Sequence, residues 1–147
     1  MKIVIGSDHA GFALKEAVVE SLRADGLTVI DVGTHDGETS VDYPDFAFAV
    51  ANQVASQPQL GVLVCGTGIG MSIAANRVPG VRAALVHDRY TAQMAREHNN
   101  ANVLVLGGRL LTESQGVELV QTWLGGSFVE RHQRRLDLIE AHTKSMT

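Results

Sequence analysis

The chain has 147 residues, 45% hydrophobic and 19% charged, with a formal net charge of −4; this is the make-up of one ordinary globular domain able to bury a core. The negative balance argues against a nucleic-acid partner, because phosphate neutralisation calls for a basic surface. A single cysteine excludes an internal disulfide and a cysteine-built zinc site, no apolar run approaches the roughly 20 residues that span a bilayer, and MKIVI (1–5) is too short for a signal-peptide core, so a cytoplasmic location is expected.

In chain order, the β-branched run Lys2–Ile5 reads as a strand ending in Gly6-Ser7-Asp8-His9. Residues 12–25 place Phe12, Leu14, Ala17, Val18 and Leu22 on one helical face, closed by Asp25-Gly26. A second strand over Thr28–Val32 precedes a helix over 43–56 built on Phe46, Val50 and Val54. The third strand, Gly61–Val64, runs into Cys65 and the loop GTGIG (66–70), with a helix over 69–77. Arg82–Val86 is a fourth strand, ending at His87-Asp88 before a helix over 89–98; Asn102–Leu106 is the fifth, before a helix over 113–124. Strands rich in Val, Ile and Leu that alternate with helices predict a parallel sheet covered on both faces, in one doubly wound α/β domain over 1–147. The stretch 127–147 breaks the rhythm. It is polar, carries Arg131, Arg134 and Arg135, and continues into LDLIEAH (136–142); it either packs on its own domain or reaches a partner subunit.

Ligands of parallel α/β sheets bind at the carboxyl ends of strands. Three such ends carry polar chemistry: 6–9, 65–70 and 87–88, and the first two are expected to converge on one pocket. The glycine loop is not a nucleotide signature. Met71 takes the third glycine's place in the dinucleotide pattern, and no Gly-Lys-Ser/Thr follows for a P-loop. Gly66, Gly68 and Gly70 do let a ligand approach the backbone and its N–H groups, though a plain strand-to-helix turn has the same composition. Cys65 is either a small buried hydrophobe or a reactive thiol. A cysteine hydrolase would need a His partner, and nothing around Cys65 resembles a protease signature. Asp8 reads as a cap of the next helix, and His98-Asn99-Asn100 as an ordinary helix terminus or a polar site. Arg131 and Arg135 stand i,i+4 and would share a helix face, either solvated or clamping phosphate. His35, His87 and His142 read as surface or structural residues, and no metal-ligand spacing occurs.

The stretches GSDHAGFALK (6–15), VIDVGT (29–34), DYPDFA (42–47), CGTGIGMSIAANR (65–77), HNNANVLVLGGR (98–109) and RHQRR (131–135) together resemble the type B ribose-5-phosphate isomerases, a family that also holds the galactose-6-phosphate isomerase subunits. The resemblance implies a Rossmann-like three-layer α/β/α sandwich with a five-stranded parallel sheet. It implies an aldose–ketose isomerase of a sugar phosphate in carbohydrate metabolism, working without metal or organic cofactor. Cys65 would carry the proton between C2 and C1 through an enediolate, and Thr67 would shift the hydroxyl proton. His98 with Asp8 would open the furanose. Asn99 and Tyr43 would border the sugar, the backbone of Gly66, Gly68 and Gly70 would cradle the enediolate, and His9, Arg109, Arg131 and Arg135 would bind phosphate.

The same resemblance implies a homodimer or dimer of dimers with the site between subunits. The His98-Asn99 pair and the arginines favour ribose 5-phosphate over galactose 6-phosphate. Allose 6-phosphate, a tetrose 4-phosphate, or a non-catalytic sugar-phosphate-binding domain are the alternatives. Some relatives use a glutamate base from another position; Met71 lies near that region and is not acidic.

Overall fold

A computed structural model describes residues 1–146. Its elements run β1 (Lys2–Ser7), α1 (Phe12–Ala24), β2 (Thr28–Asp31), α2 (Tyr43–Ser56), β3 (Leu60–Cys65), α3 (Ile69–Ala75), β4 (Ala83–Leu85), α4 (Arg89–Glu97), β5 (Val103–Gly107), α5 (Glu113–Gly125), a 3-10 turn at Glu130–His132 and α6 (Gln133–Ser145). The five strands form one all-parallel sheet in the order β2-β1-β3-β5-β4. Every expected strand and helix is present. The two central strands run further toward the ligand end than their apolar patterns indicated, β1 to Ser7 and β3 to Cys65.

Strand alternation explains the layers. Val62, Val64, Leu104 and Leu106 face a core filled by Leu14, Val18, Leu119, Val120 and Trp123 of α1 and α5. Leu63, Cys65, Val103 and Val105 face the opposite core, filled by Ala47, Val50, Ala51 and Met71 of α2 and α3. Both faces of the central strands are therefore buried, as near-continuous apolar runs require. The result is a three-layer, Rossmann-like α/β/α sandwich. Among the described residues, no helix is long and apolar enough to cross a membrane.

One side chain runs against the amphipathic pattern of α1. Lys15 is fully buried. Its Nζ donates to Asp31 Oδ2 at 2.7 Å, Asp31 Oδ1 at 2.9 Å and Glu16 Oε1 at 3.0 Å. Asp31 Oδ1 in turn accepts from Gly33 N–H at 2.9 Å. Gly33 carbonyl accepts from Ser7 N–H, and Ser7 carbonyl accepts from Thr34 N–H, both at 2.7 Å. The pair thus anchors the turn after β2 and, through it, the carboxyl end of β1.

Removing one partner of a buried pair leaves the other charge stranded. Asp31→Ala is expected to cost about 3 kcal/mol in equilibrium denaturation, and the double change Lys15→Met with Asp31→Leu to recover most of that loss.

Candidate active site

The order β2-β1-β3 places a topological switch point between β1 and β3, where chains leave the sheet in opposite directions and open a crevice. Ser7 pairs with Val64 in register, so Asp8-His9 and Cys65 emerge side by side. Asp8 N–H donates to the Val64 carbonyl at 3.2 Å. Asp8 Oδ1 accepts from Gly11 N–H at 3.0 Å. Asp8 therefore closes the turn ahead of α1, whose N-cap residue is Gly11, and does not cap the helix itself. His9 Nδ1 accepts from Val41 N–H at 3.2 Å, which leaves Nε2 as the ring's donor, able to meet an anion.

Cys65 is 5% exposed at the tip of β3. Its carbonyl accepts from Gly108 N–H at 2.8 Å, and Gly66 carbonyl accepts from Arg109 N–H at 3.0 Å. The loop after β5 is thereby stitched to the glycine loop, with Arg109 beside Gly66. Thr67 is exposed, and its Oγ1 accepts from Ile69 N–H at 3.3 Å. Gly68 has φ +81°, and a Cβ there would meet Leu85 Cδ1 at 2.5 Å. Tyr43, at the start of α2, covers Gly70 so closely that a Cβ on that glycine would fall 2.5 Å from the ring. One crevice therefore gathers Asp8, His9, Tyr43, Cys65, Gly66, Thr67, Gly68, Gly70 and Arg109.

The remaining expected residues lie elsewhere. His98 ends α4 and Asn99 follows it, just before β5 begins at Val103 opposite Gly61. Gly61 and Cys65 are four steps apart on β3, about 13 Å of strand, so His98 and Asn99 sit at the amino end of the sheet and Cys65 at the carboxyl end. Arg82 holds this second cluster: its Nε donates to the Asn99 carbonyl at 3.3 Å, its Nη2 to the Asn100 carbonyl at 3.0 Å and its Nη1 to Glu140 at 3.4 Å. The 3-10 turn docks there too, Val129 N–H donating to the Glu97 carbonyl at 2.9 Å. That docking brings the exposed Arg131 and Arg135 alongside. The two arginines do not share one α-helical face as their spacing suggested, because Arg131 belongs to the 3-10 turn and Arg135 to α6.

Two residues of this cluster escaped the sequence reading, His132 and Arg82. His132 stacks on His98, ring centroids 4.3 Å apart. Burial, then Arg131, His98 and Arg135, hold the His132 imidazole below its ordinary pKa. A position between arginines was its one sequence signal; Arg82 carried none. His35, His87 and His142 are exposed, as expected. His87-Asp88 does not join the crevice, since Asp88 caps α4 by accepting from Thr91 N–H at 2.7 Å. Among the described residues, no group of three or more His, Cys, Asp or Glu is arranged to hold a metal ion. A groove of about 540 Å³ opens along the edge strand β4 and is walled by Val78, Arg82, Leu85, Asn99 and Ile139, with no contribution from Cys65.

The ribose/galactose isomerase family profile matches residues 3–139. Ribose-5-phosphate isomerase B of Escherichia coli is 44% identical over 142 residues, covering 95% of each chain. The structure of Clostridium thermocellum ribose-5-phosphate isomerase B superposes with a TM-score of 0.96 at 48% identity, covering all of both chains. That of the Mycoplasma genitalium enzyme with bound ribulose-5-phosphate superposes at 0.93 with 45% identity, over 97% of this chain and 96% of that one.

Gly68→Ala combines an unfavourable positive φ with a clash against Leu85. It is expected to lower stability by about 1–3 kcal/mol in thermal or chemical denaturation.

Proposed function

The chain belongs to the ribose/galactose isomerase family, and on that premise we propose that it interconverts ribose 5-phosphate and ribulose 5-phosphate as a cofactor-independent aldose–ketose isomerase. The observation that carries this reading is its likeness, over nearly the whole chain, to a relative whose structure holds ribulose-5-phosphate.

In the proposed reaction, His98 and Asp8 open the furanose by moving a proton from the anomeric hydroxyl to the ring oxygen. The Cys65 thiolate then takes the proton from C2 of the aldehyde, and the electron pair passes into the C1 carbonyl to give an enediolate. Thr67 transfers the hydroxyl proton between O2 and O1. Cys65 returns its proton to C1, and the ketose forms with no net change in atoms or electrons. Negative charge on the enediolate oxygens develops only during reaction, where backbone N–H groups of 66–70 stabilise it most effectively. The Nε2–H of His9 and the guanidiniums of Arg109, Arg131 and Arg135 suit a phosphate dianion, while Asn99 and Tyr43 border the sugar.

This reading needs both residue clusters around one substrate, and one copy holds them at opposite ends of its sheet. A second copy that presents its His98, Asn99, Arg131 and Arg135 to the first copy's Cys65 resolves the conflict. A two-fold interface does this twice, giving two equivalent sites. The exposed Leu138 and Ile139 on α6 and the half-exposed edge strand β4 supply surface for such an interface. Residues 127–146 then act as an arm that serves the neighbouring site.

Purified protein in EDTA is expected to convert ribose 5-phosphate to ribulose 5-phosphate. Cys65→Ala should lower kcat about 100- to 10,000-fold, the range of positioned acid–base groups, with substrate binding retained by calorimetry. An inactive wild type, or an equally active Cys65→Ala, contradicts the proposal.

A further inference from the structure

We infer that His132 is a positioning residue that joins the two functions of the 98–135 cluster, its ring face setting the plane of His98 and its Nδ1 setting the place of Arg135. The inference rests on the isomerase reading, in which His98 opens the sugar ring and Arg135 holds phosphate.

The chain path creates the contact. Val129 N–H donates to the Glu97 carbonyl at 2.9 Å, and His132 N–H donates back to the Val129 carbonyl at 3.1 Å. The turn therefore folds His132 directly onto the residue after Glu97. The two imidazoles stack with centroids 4.3 Å apart and planes inclined by 34°. Among the described residues, no hydrogen bond is made by the His98 side chain, and His132 is its one ring neighbour. A histidine that moves protons needs a defined ring direction, which is ordinarily supplied by a neighbour.

The other edge of His132 faces Arg135. Nδ1 lies 3.3 Å from Arg135 Nη1, and a guanidinium only donates. Nδ1 is therefore the acceptor, and the proton sits on Nε2. That Nε2 is buried and has no hydrogen-bond partner among the described residues. His132 is 5% exposed in a segment where Arg131, Gln133, Arg134 and Arg135 are all exposed. Burying an imidazole with one nitrogen unpaired is unfavourable beside an apolar ring of similar size, so packing alone does not account for histidine here. Burial, then the charges of Arg131, His98 and Arg135, lower the pKa of the ring, and its place at the N-cap of α6 acts the same way, since that end disfavours positive charge.

The two edges of His132 can be separated experimentally, because only one substrate needs ring opening. Ribose 5-phosphate closes to a furanose through O4. Ribulose 5-phosphate has its carbonyl at C2 and its O5 esterified, so no five-membered ring can form and it enters the site open. Exchange of its C1 proton with deuterium from solvent then reports the isomerisation chemistry without the opening step. His132→Gln keeps an acceptor for Arg135 and removes the ring. It is expected to lower kcat for ribose 5-phosphate about 10- to 100-fold, part of the effect of a general acid–base group. Its KM should stay within about twofold, and its deuterium wash-in from ribulose 5-phosphate should match wild type. His132→Phe keeps a ring face and removes the acceptor. It should retain kcat and raise KM for both sugars about tenfold, the scale of one charged hydrogen bond.

Variants that behave alike, or a Gln variant that loses turnover and wash-in in proportion, overturn the inference; so do two variants that match wild type in every constant. A Gln protein that fails to fold, judged by lost helical circular dichroism, assigns His132 a purely structural role and overturns it as well. A wild type without ribose 5-phosphate turnover defeats the isomerase reading itself, whereas an active wild type with undifferentiated variants defeats the inference alone.

Discussion

The parallel pairing of β1 with β3 is the constraint on which the rest of the crevice depends. Ser7 lies opposite Val64, and a slip of one residue would turn Asp8 or Cys65 to the wrong face of its strand. The register is secured from two sides. The Asp8 N–H continues the pairing onto the Val64 carbonyl. On the outer side, the part-buried Lys15–Asp31 pair fixes the turn that grips Ser7 through two short backbone bonds. Gly11 completes the join, since a Cβ there would fall 2.5 Å from the Val64 carbonyl oxygen. Acid and thiol are thus held together by backbone, with no side-chain contact between them required.

A parallel sheet also imposes a separation. Helices return each strand's exit to the next strand's entry, so a residue at the end of α4 must sit opposite to one at the end of β3. His98 and Cys65 obey that rule. Rearranging loops within one chain would not bring them together, because Arg82, bonded to the carbonyls of both Asn99 and Asn100, pins the 98–100 segment to the sheet's amino end. Chemistry that needs both clusters around one small sugar therefore favours assembly over conformational change. The same geometry accounts for the C-terminal segment, whose docked turn and exposed arginines project from the end of the sheet remote from its own thiol.

Much of this was legible in the sequence, for identifiable reasons. The central strands have both faces buried, so uninterrupted runs such as GVLVC and NVLVLGG announce them. Helices α1 and α2 show their buried stripes plainly. The site residues at strand ends follow from a general property of α/β sheets. The strand order was not legible, because every apolar run reads alike and the swap of β4 and β5 rests on crossovers between distant segments. The burial of Lys15 was not legible either, since its partner Asp31 is 16 residues away and invisible to local periodicity. The pairing of His132 with His98 depends on a turn docked across 34 residues, which no spacing rule reports.

The central proposition is that each working site takes Cys65 from one copy and the His98–Arg135 cluster from another. It is tested most directly by mixing two inactive proteins, Cys65→Ala and His98→Asn, under conditions that exchange subunits. Random pairing makes half the dimers mixed, each with one intact site of two, so about one quarter of wild-type turnover of ribose 5-phosphate should return. Mixtures that remain inactive, although mass spectrometry shows that subunits have exchanged, would contradict a site shared in this way.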